Sequence, residues 1–222
     1  MEIDSHAVIS ERVLGGLPKT EVVEAMKKEL ESLRNFGVYE SMKKSELPTG
    51  SKLIASRWVL VRKPTGEIKA RLVAKDFNDG SWVDSFSSTP TQQSLRMALY
   101  LSIRLRWSVC TGDFSTAFLH ADISETDPQY VQPCAPVART GEVWRLKKAL
   151  YGLRVAPKLF QDHLTKMFNE LGLRRSVTDP SVYFGKDSSG KLDVMIVNHV
   201  DDPLSAGTEN GSMLSGKHWH PR

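Results

Sequence analysis

The sequence predicts a mixed α+β fold with a largely antiparallel sheet. Residues 19–35 show apolar side chains at helical spacing, residues 52–77 have the pattern of a β-hairpin, and residues 194–202 form an apolar run that ends in two aspartates. Helical and strand-like segments interleaved with hairpins are typical of α+β proteins. The chain has 222 residues, 40% of them hydrophobic, which is enough for a buried core.

The first helix is predicted over Lys19–Asn35, because Val22, Met26, Leu30 and Leu33 recur on one face. Residues 1–18 before it show no periodicity and are predicted to be a loose lead-in. Two strands, Lys52–Lys63 and Glu67–Phe77, flank the turn Pro64–Gly66 and form the hairpin.

Further elements are predicted in the second half of the chain. A helix over Ser94–Leu105 has Leu95, Leu99 and Ile103 on one side and Ala98 beside them. The segment Trp107–Phe118 begins as a strand, and Asp122–Arg139 is a polar connection containing proline. The remaining predictions are a strand at Glu142–Leu146, a helix from Pro157 to Gly172, strands at Ser181–Phe184 and Leu192–Val197 with a turn at Asp187–Gly190 between them, and a polar tail over residues 208–222.

Charge and cysteine content exclude several classes of protein. The net charge is +4 and the isoelectric point about 9.0, which is compatible with a polyanionic partner. Cys110 and Cys134 provide neither a disulfide framework nor a zinc-binding spacing, so we expect a reducing, intracellular setting. The sequence shows no secretory signal and no apolar run long enough to span a bilayer.

The adjacent carboxylates of Asp201 and Asp202 follow the apolar run Val194–Val197. Two like charges side by side repel each other, and a divalent cation with hard oxygen ligands would relieve that repulsion. An exposed β-turn explains the same residues equally well. Asp113 also lies near the end of a predicted strand. If the strands are neighbours, the carboxylates converge at a site suited to metal-assisted phosphoryl transfer, but the spacing alone cannot show this.

The predicted hairpin at residues 52–77 carries several cations, among them Arg57, Arg62, Lys69, Arg71 and Lys75. They could solubilise an exposed sheet edge or contact phosphate groups. The residues alone favour the solubilising role.

Seven stretches occur in an order that resembles a known family: AMKKELESL, RWVLVRKPTGEIKARLVAKDF, FSSTPT, GDFSTAFLHA, LKKALYGLRVAP, DPSVYF and VDD. Together they resemble the reverse transcriptase of copia-type LTR retrotransposons, over roughly residues 21–207. The resemblance implies a polymerase fingers and palm domain over residues 19–207, with an antiparallel palm sheet packed on helices. It implies an RNA-directed DNA polymerase that extends a primer on an RNA or DNA template with dNTPs.

The resemblance also assigns the catalytic residues. Asp113, Asp201 and Asp202 would be the catalytic carboxylates and would bind two Mg²⁺ ions, with Mn²⁺ as an alternative. The backbone carbonyl of Phe114 would be a further metal ligand. The family's reaction is in-line attack of the primer 3′-hydroxyl on the α-phosphorus of a dNTP.

The substrate contacts implied by the resemblance are less specific. Arg71 would bind the triphosphate, with Lys69 and Lys75 as weaker candidates. Phe118 would exclude a ribose 2′-hydroxyl, although a core phenylalanine fits its spacing as well. The candidates for template or primer contacts are Tyr151, Gly152, Arg154 and His199; for the first three, a loop-to-helix junction without a contact role is an equal alternative.

The chain departs from the family pattern at several positions. It has Val155 where Gln is usual, His199 (preceded by Asn198) where Tyr is usual, Pro203 where an apolar non-proline residue is usual, and Asp76 where Gly is usual. Pro203 lacks the N–H of a strand residue and could distort the site.

The resemblance ends after Gly207, and a thumb and a ribonuclease H domain have no room, so the chain looks like a piece of a polyprotein or a decayed copy. Family behaviour suggests cytoplasmic replication in virus-like particles, without a membrane partner. The alternative functions are an inactive remnant that binds nucleic acid weakly and, more distantly, a metal-dependent phosphotransferase of another fold.

Overall fold

The computed structural model describes residues 9–208 and confirms a mixed α+β fold. The helices are α1 (Glu11–Leu14), α2 (Lys19–Asn35), α3 (Gln92–Leu105) and α4 (Ala156–Glu170), with 3₁₀ turns at Lys44–Glu46 and Ala117–His120. The strands are β1 (Tyr39–Lys43), β2 (Leu53–Arg62), β3 (Ile68–Ala74), β4 (Ser108–Thr111), β5 (Tyr130–Gln132), β6 (Glu142–Leu146), β7 (Arg174–Arg175), β8 (Val182–Lys186), β9 (Leu192–His199) and β10 (Asp202–Gly207).

The chain divides into two compact units, and each is assembled from two separated stretches. Unit 1 combines the residues up to Ser85 with Phe118–Leu159, and unit 2 combines Phe86–Ala117 with the residues from Phe160 onward. Most of the predicted lead-in is described and contains the short helix α1, but residues 1–8 lie outside the described part. The predicted polar tail lies outside it too, except for Thr208.

Unit 1 contains a five-stranded sheet in the order β1-β6-β5-β2-β3, antiparallel except for the parallel pair β2–β5. Helix α2 packs on β3 and has the predicted bounds. Its four predicted apolar residues are all buried. The predicted hairpin is confirmed as β2 and β3, and β6 has the predicted bounds. Strands β1 and β5 were not predicted; β5 is three residues long and lies between Pro128 and Pro133.

Unit 2 contains an entirely antiparallel sheet in the order β4-β10-β9-β8-β7. Helix α3 lies on one face, where Ala98 joins a buried cluster with Trp107, Val197 and Ala206. Val182 of β8 belongs to the same cluster. The next residue of β8, Tyr183, contacts α4 through Phe168, with ring centroids 4.6 Å apart. Because adjacent strand residues point to opposite faces, helices cover both sides of this sheet.

The orientation of α3 differs from the simplest interpretation of its sequence. The apolar stripe Leu95, Leu99 and Ile103 is exposed, with 79% of Ile103 accessible, whereas Ala98 and Ser102 are buried. Small residues on the contact face let the helix approach β9 and β10 closely, and this leaves its larger apolar residues on the outside.

Candidate active site

The hairpin that joins β9 and β10 presents the aspartate pair. His199 is paired with Asp202, so Val200 and Asp201 form a two-residue turn. Val200 has a φ of 56°, which is unusual for a β-branched residue and indicates local strain. The buried side chain of Asn198 supports the turn, because its Nδ2 donates to the Val200 carbonyl at 2.8 Å. The segment thus contains the predicted buried strand, and this strand is followed by a β-turn, which was predicted as the alternative to a metal site.

Asp113 reaches the same place from β4, which pairs with β10. Beyond the end of β4, the Gly112 amide donates to the Pro203 carbonyl at 3.1 Å, and the Phe114 amide donates to the Asp201 carbonyl at 2.9 Å. These two bonds continue the antiparallel register, so Asp113 lies directly opposite Asp202 in a pair without hydrogen bonds of its own. The Cα atoms of such a pair are typically about 4.5 Å apart.

Like charges directly opposite each other destabilise a strand pair. Asp113 and Asp202 are exposed and Asp201 is partly buried. Three carboxylates form a donor set of hard oxygen atoms, which fits a divalent cation such as Mg²⁺. Within residues 9–208, however, no three His, Cys, Asp or Glu side chains are arranged so that they could hold one metal ion. The backbone thus brings the aspartates to one end of two adjacent strands.

His199 lies at the same end of the strands as the aspartates. It is paired with Asp202 on the side away from Asp113, so Asp113, Asp202 and His199 lie in one row on one face of the sheet. Phe114, which follows Asp113, is buried and its ring meets Phe160 edge-on at 5.7 Å. This contact anchors the backbone that follows Asp113.

Pro203 lies in β10, between β4 and β9. Its carbonyl faces β4, where it accepts from Gly112, and the N–H of a residue in an antiparallel strand points to the same side as its carbonyl. Proline therefore omits one bond to the Gly112 carbonyl and none to β9. The effect of Pro203 on the strand pairing is therefore one missing hydrogen bond beside Asp113.

A second group of predicted residues comes together in unit 1. The Arg71 guanidinium lies 4.9 Å from the centre of the Tyr151 ring, and Phe118 meets that ring edge-on at 5.2 Å. We call Arg71, Phe118 and Tyr151 the ring cluster. Lys69 and Lys75 are exposed near Arg71, and Lys69 shares its face of β3. Residues that are up to 80 positions apart in sequence, and were predicted separately, thus form one surface.

Gly152 is packed against the end of β3. It has a φ of 85°, and a Cβ atom at this position would lie 2.2 Å from the Ala74 carbonyl oxygen. Glycine is therefore required here by its backbone conformation and by the lack of space. The adjacent Tyr151 carbonyl accepts from the Ala74 amide at 2.7 Å. Gly152 was predicted as a template or primer contact, but its close approach in the structure is to the protein's own backbone.

Arg154 is surrounded by the segment that follows β3. Its guanidinium donates to Ser81 Oγ at 2.8 Å and to the Ser81 carbonyl at 3.1 Å, and it lies 3.5 Å from Asp79. Lys52 binds Asp79 at 2.7 Å and Asp76 at 2.9 Å. The predicted template contact of Arg154 thus competes with an ion-pair network, which consists of Lys52, Asp76, Asp79 and Arg154.

The network shifts two pKa values. Hydrogen bonds from Lys52 and from Ser81 hold the pKa of Asp79 well below its usual range. Hydrogen bonds to Asp79 and Asp76 raise the pKa of Lys52. Asp79 and Lys52 therefore stay charged at neutral pH. This network was not predicted from the sequence, where its only signal is Asp76 at a position where glycine is usual.

The comparisons with known proteins identify the class of protein that these sites belong to. The profile of the family described as reverse transcriptase (RNA-dependent DNA polymerase) matches residues 39–218. The chain belongs to this family.

Its relatives include Pol polyproteins of retrotransposons. The "Retrovirus-related Pol polyprotein from transposon TNT 1-94" of Nicotiana tabacum is 32% identical over 90% of this chain and 15% of that protein. The corresponding protein from transposon RE1 of Arabidopsis thaliana is 31% identical over 73% of this chain and 12% of its own length. The "Transposon Ty1-DR5 Gag-Pol polyprotein" of Saccharomyces cerevisiae is 31% identical over 61% of this chain and 8% of its own length. These matches confirm the copia-type resemblance, and the chain spans a small part of each relative.

The structure gives one finding on membrane association. Within residues 9–208, no helix combines the length and the apolar character needed to cross a bilayer.

Proposed function

We propose that this chain is the fingers and palm portion of a retrotransposon reverse transcriptase. It would extend the 3′-hydroxyl of a primer with dNTPs on an RNA or DNA template. The observation that carries the proposal is the position of Asp113 opposite Asp202, with Asp201 in the adjoining turn. In this assignment the sheet of unit 2 is the palm, and the basic hairpin β2–β3 of unit 1 belongs to the fingers.

The three aspartates would hold the two divalent metal ions, Mg²⁺ or alternatively Mn²⁺, with help from the Phe114 carbonyl. The bound ions would supply charge neutralisation for the attacking primer hydroxyl and for the leaving pyrophosphate. The bonds from Gly112 and Phe114 to β10 fix Asp113 relative to Asp202, and Asn198 fixes the turn that carries Asp201. Catalysis by positioned charge requires such a rigid backbone.

The ring cluster would bind the incoming dNTP. Arg71 offers a planar donor group for the triphosphate, with Lys69 and Lys75 as additional charges. Phe118 would lie beneath the sugar, where its ring leaves no room for a 2′-hydroxyl. Its contact with Tyr151 restricts the orientation of both rings and supports this role.

The template and primer would contact the turn Tyr151–Arg154 and the hairpin at His199. Tyr151 offers a ring for stacking, and the exposed His199 lies beside Asp202. Arg154 would contact the template only if it exchanged some of its bonds with Ser81 and Asp79.

An inactive remnant is the second candidate function. It is favoured by Pro203, which removes one hydrogen bond beside Asp113. Such a remnant would keep the fold and the basic hairpin without polymerase activity.

Primer extension separates the two candidates. The purified chain is given an oligo(dT)-primed RNA template, dNTPs and Mg²⁺, beside a double variant, Asp113→Asn with Asp201→Asn. Asp187→Asn is the matched control, because Asp187 lies in another hairpin turn of the same sheet. We expect extension by the unsubstituted chain and the control, and none by the double variant. A folded chain, checked by circular dichroism, that does not extend the primer would support the remnant.

A further inference from the structure

The segment that follows β3 contains a buried carboxylate, Asp76, that the proposed reaction does not use. Its side chain is 6% exposed. Its Oδ1 binds Lys52 at 2.9 Å and lies 3.6 Å from Arg154 Nε, and its Oδ2 accepts from the Arg154 backbone amide at 3.0 Å. A buried carboxylate is costly unless it is paired and hydrogen-bonded, and Asp76 satisfies both conditions.

The bond to the Arg154 amide attaches a turn to a strand end. At the other end of the same turn, the Ala74 amide donates to the Tyr151 carbonyl at 2.7 Å. Gly152 lies between the two attachments and has no room for a Cβ atom next to Ala74. The turn Tyr151–Arg154 is thus held at two points, one provided by the backbone of β3 and one by the side chain of Asp76.

The position of this turn determines the position of the Tyr151 ring, which contacts Arg71 and Phe118. Arg71 belongs to the hydrogen-bonded hairpin β2–β3, whereas Tyr151 lies on the turn. A turn that loosened at Arg154 would let the ring move away from Arg71 and open the gap beside Phe118. Such a displacement would remove part of the surface that the proposed nucleotide contacts.

We propose that Asp76 is a positioning residue for the nucleotide site: by accepting the Arg154 amide bond, it holds Tyr151 against Arg71 and Phe118. This inference rests on the proposed function of the ring cluster. In this role, Asp76 acts through the hydrogen bond that it accepts from the Arg154 amide. The ion pair with Lys52 is secondary, because Lys52 is also bound by Asp79. Asparagine at position 76 can still accept from Arg154, whereas alanine cannot.

The experiment measures dNTP affinity without chemistry. The chain is bound to a primer–template whose primer ends in a dideoxynucleotide, and the next complementary dNTP is titrated by gel shift. The variants are Asp76→Ala, Asp76→Asn and the matched control Lys52→Met, which removes the ion pair and leaves the amide bond. We expect affinity to fall about tenfold in the alanine variant, as for one lost charged hydrogen bond, and by less than about threefold in the other two.

Hydrogen–deuterium exchange provides a second readout that needs no ligand. Exchange in residues 150–155 should rise in the alanine variant and stay near that of the unsubstituted chain in Asp76→Asn and Lys52→Met. Asp76→Gly, which also lacks a side-chain acceptor, serves in place of the alanine variant if circular dichroism shows that Asp76→Ala does not fold.

Three results overturn the inference. Unchanged exchange or unchanged dNTP affinity in a folded alanine or glycine variant removes the positioning role. Equal losses in Asp76→Asn and Lys52→Met assign the effect to charge instead of the amide bond. If the unsubstituted chain shows no dNTP-dependent shift, the proposed nucleotide site is wrong, and the inference about Asp76 fails with it. The exchange data distinguish this result from a failure of the Asp76 inference alone, because they need no ligand.

Discussion

Phe118 illustrates how a single contact could control the choice of nucleotide. Its ring meets Tyr151 edge-on, which fixes both rings at the surface that also contains Arg71. We expect Phe118→Ala to reduce discrimination against rNTPs by about tenfold or more, because a pocket of fixed shape excludes one hydroxyl group by roughly that factor. Steady-state incorporation of rCTP and dCTP measures the ratio.

Phe36→Ala is the matched control for Phe118. Phe36 is partly buried like Phe118 and makes a similar edge-on contact, with His120 at 4.8 Å. If both variants lose discrimination equally, or neither does, Phe118 is only a packing residue.

Pro203 is a second residue whose substitution should have a measurable local effect. Pro203→Leu restores an N–H that can donate to Gly112, with a gain of about 1 kcal/mol that the lost rigidity of proline partly offsets. We therefore expect a local effect: amide exchange of residues 108–114 slows, while exchange of β8 stays the same. Faster exchange near Asp113 would show that the proline fits this strand better than leucine does.

At the scale of elements, the start of α3 depends on Asp179. Its carboxylate accepts from the Thr91 amide at 2.9 Å, from the Ser181 amide at 3.1 Å and from the Ser94 hydroxyl at 2.5 Å. Thr91 itself caps the helix by accepting from the Ser94 amide. The stretches FSSTPT and DPSVYF, which the sequence resemblance identified without explaining, are thereby joined at one helix terminus.

Asp179 also makes unit 2 sensitive to acid. Burial raises its pKa, but the hydrogen bonds from Ser94, Thr91 and Ser181 outweigh burial and hold the pKa below its ordinary value. A lowered folded pKa stabilises the fold above the unfolded value of about 3.9, and this contribution is lost as the pH falls through the folded pKa.

Asp179→Asn tests this effect. We expect it to lower the free energy of unfolding by about 1–2 kcal/mol at pH 7, and the difference from the unsubstituted chain to shrink below pH 4. Urea denaturation at pH 7, 5 and 3 measures it. A difference that does not depend on pH would mean that the charge of Asp179 contributes nothing.

The elements also show what the sequence can and cannot predict. Helix α2 and strand β6 were predicted to the residue, because their apolar periodicity agrees with their burial. Strand β5 was missed, since its three residues between prolines are too few to show a pattern. The face of α3 could not be predicted, because its sheet selects the small Ala98 and Ser102 over the larger Leu99 and Ile103.

The candidate site also combines features that the sequence predicts with features that it does not predict. Local motifs identified the three aspartates and Arg71, Phe118 and Tyr151 as candidates, but the pairing of Asp113 with Asp202 depends on strand register, and the bond from Arg154 to Asp76 spans 78 positions. Such long-range contacts leave no periodic signal in the sequence.

At the scale of the whole molecule, we expect the exposed apolar side of α3 to promote self-association. Leu99, Tyr100 and Ile103 are 41–79% accessible and adjacent on the helix. Exposed apolar patches promote association. We expect Ile103→Glu to reduce self-association at high concentration with a change in unfolding free energy of less than about 0.5 kcal/mol.

Sedimentation velocity and thermal unfolding measure the two effects of Ile103→Glu. Ser102→Glu is the contrasting variant, because Ser102 is buried and should lose stability instead. If Ile103→Glu destabilises the fold as much as Ser102→Glu does, this side of the helix is not free in solution.

The interleaved assembly of the two units affects how the protein is made. Strands β2 and β3 are joined by a short turn and can pair soon after they leave the ribosome. Strand β1, however, has β6 as its neighbour in the sheet, and Lys43 is paired with Glu142. At translation rates of about 5–20 residues per second, β1 waits roughly 5–20 seconds for the intervening ~100 residues. During that interval its edge is open to chaperones and to other nascent chains, so translation speed through residues 44–141 would influence the yield of folded protein.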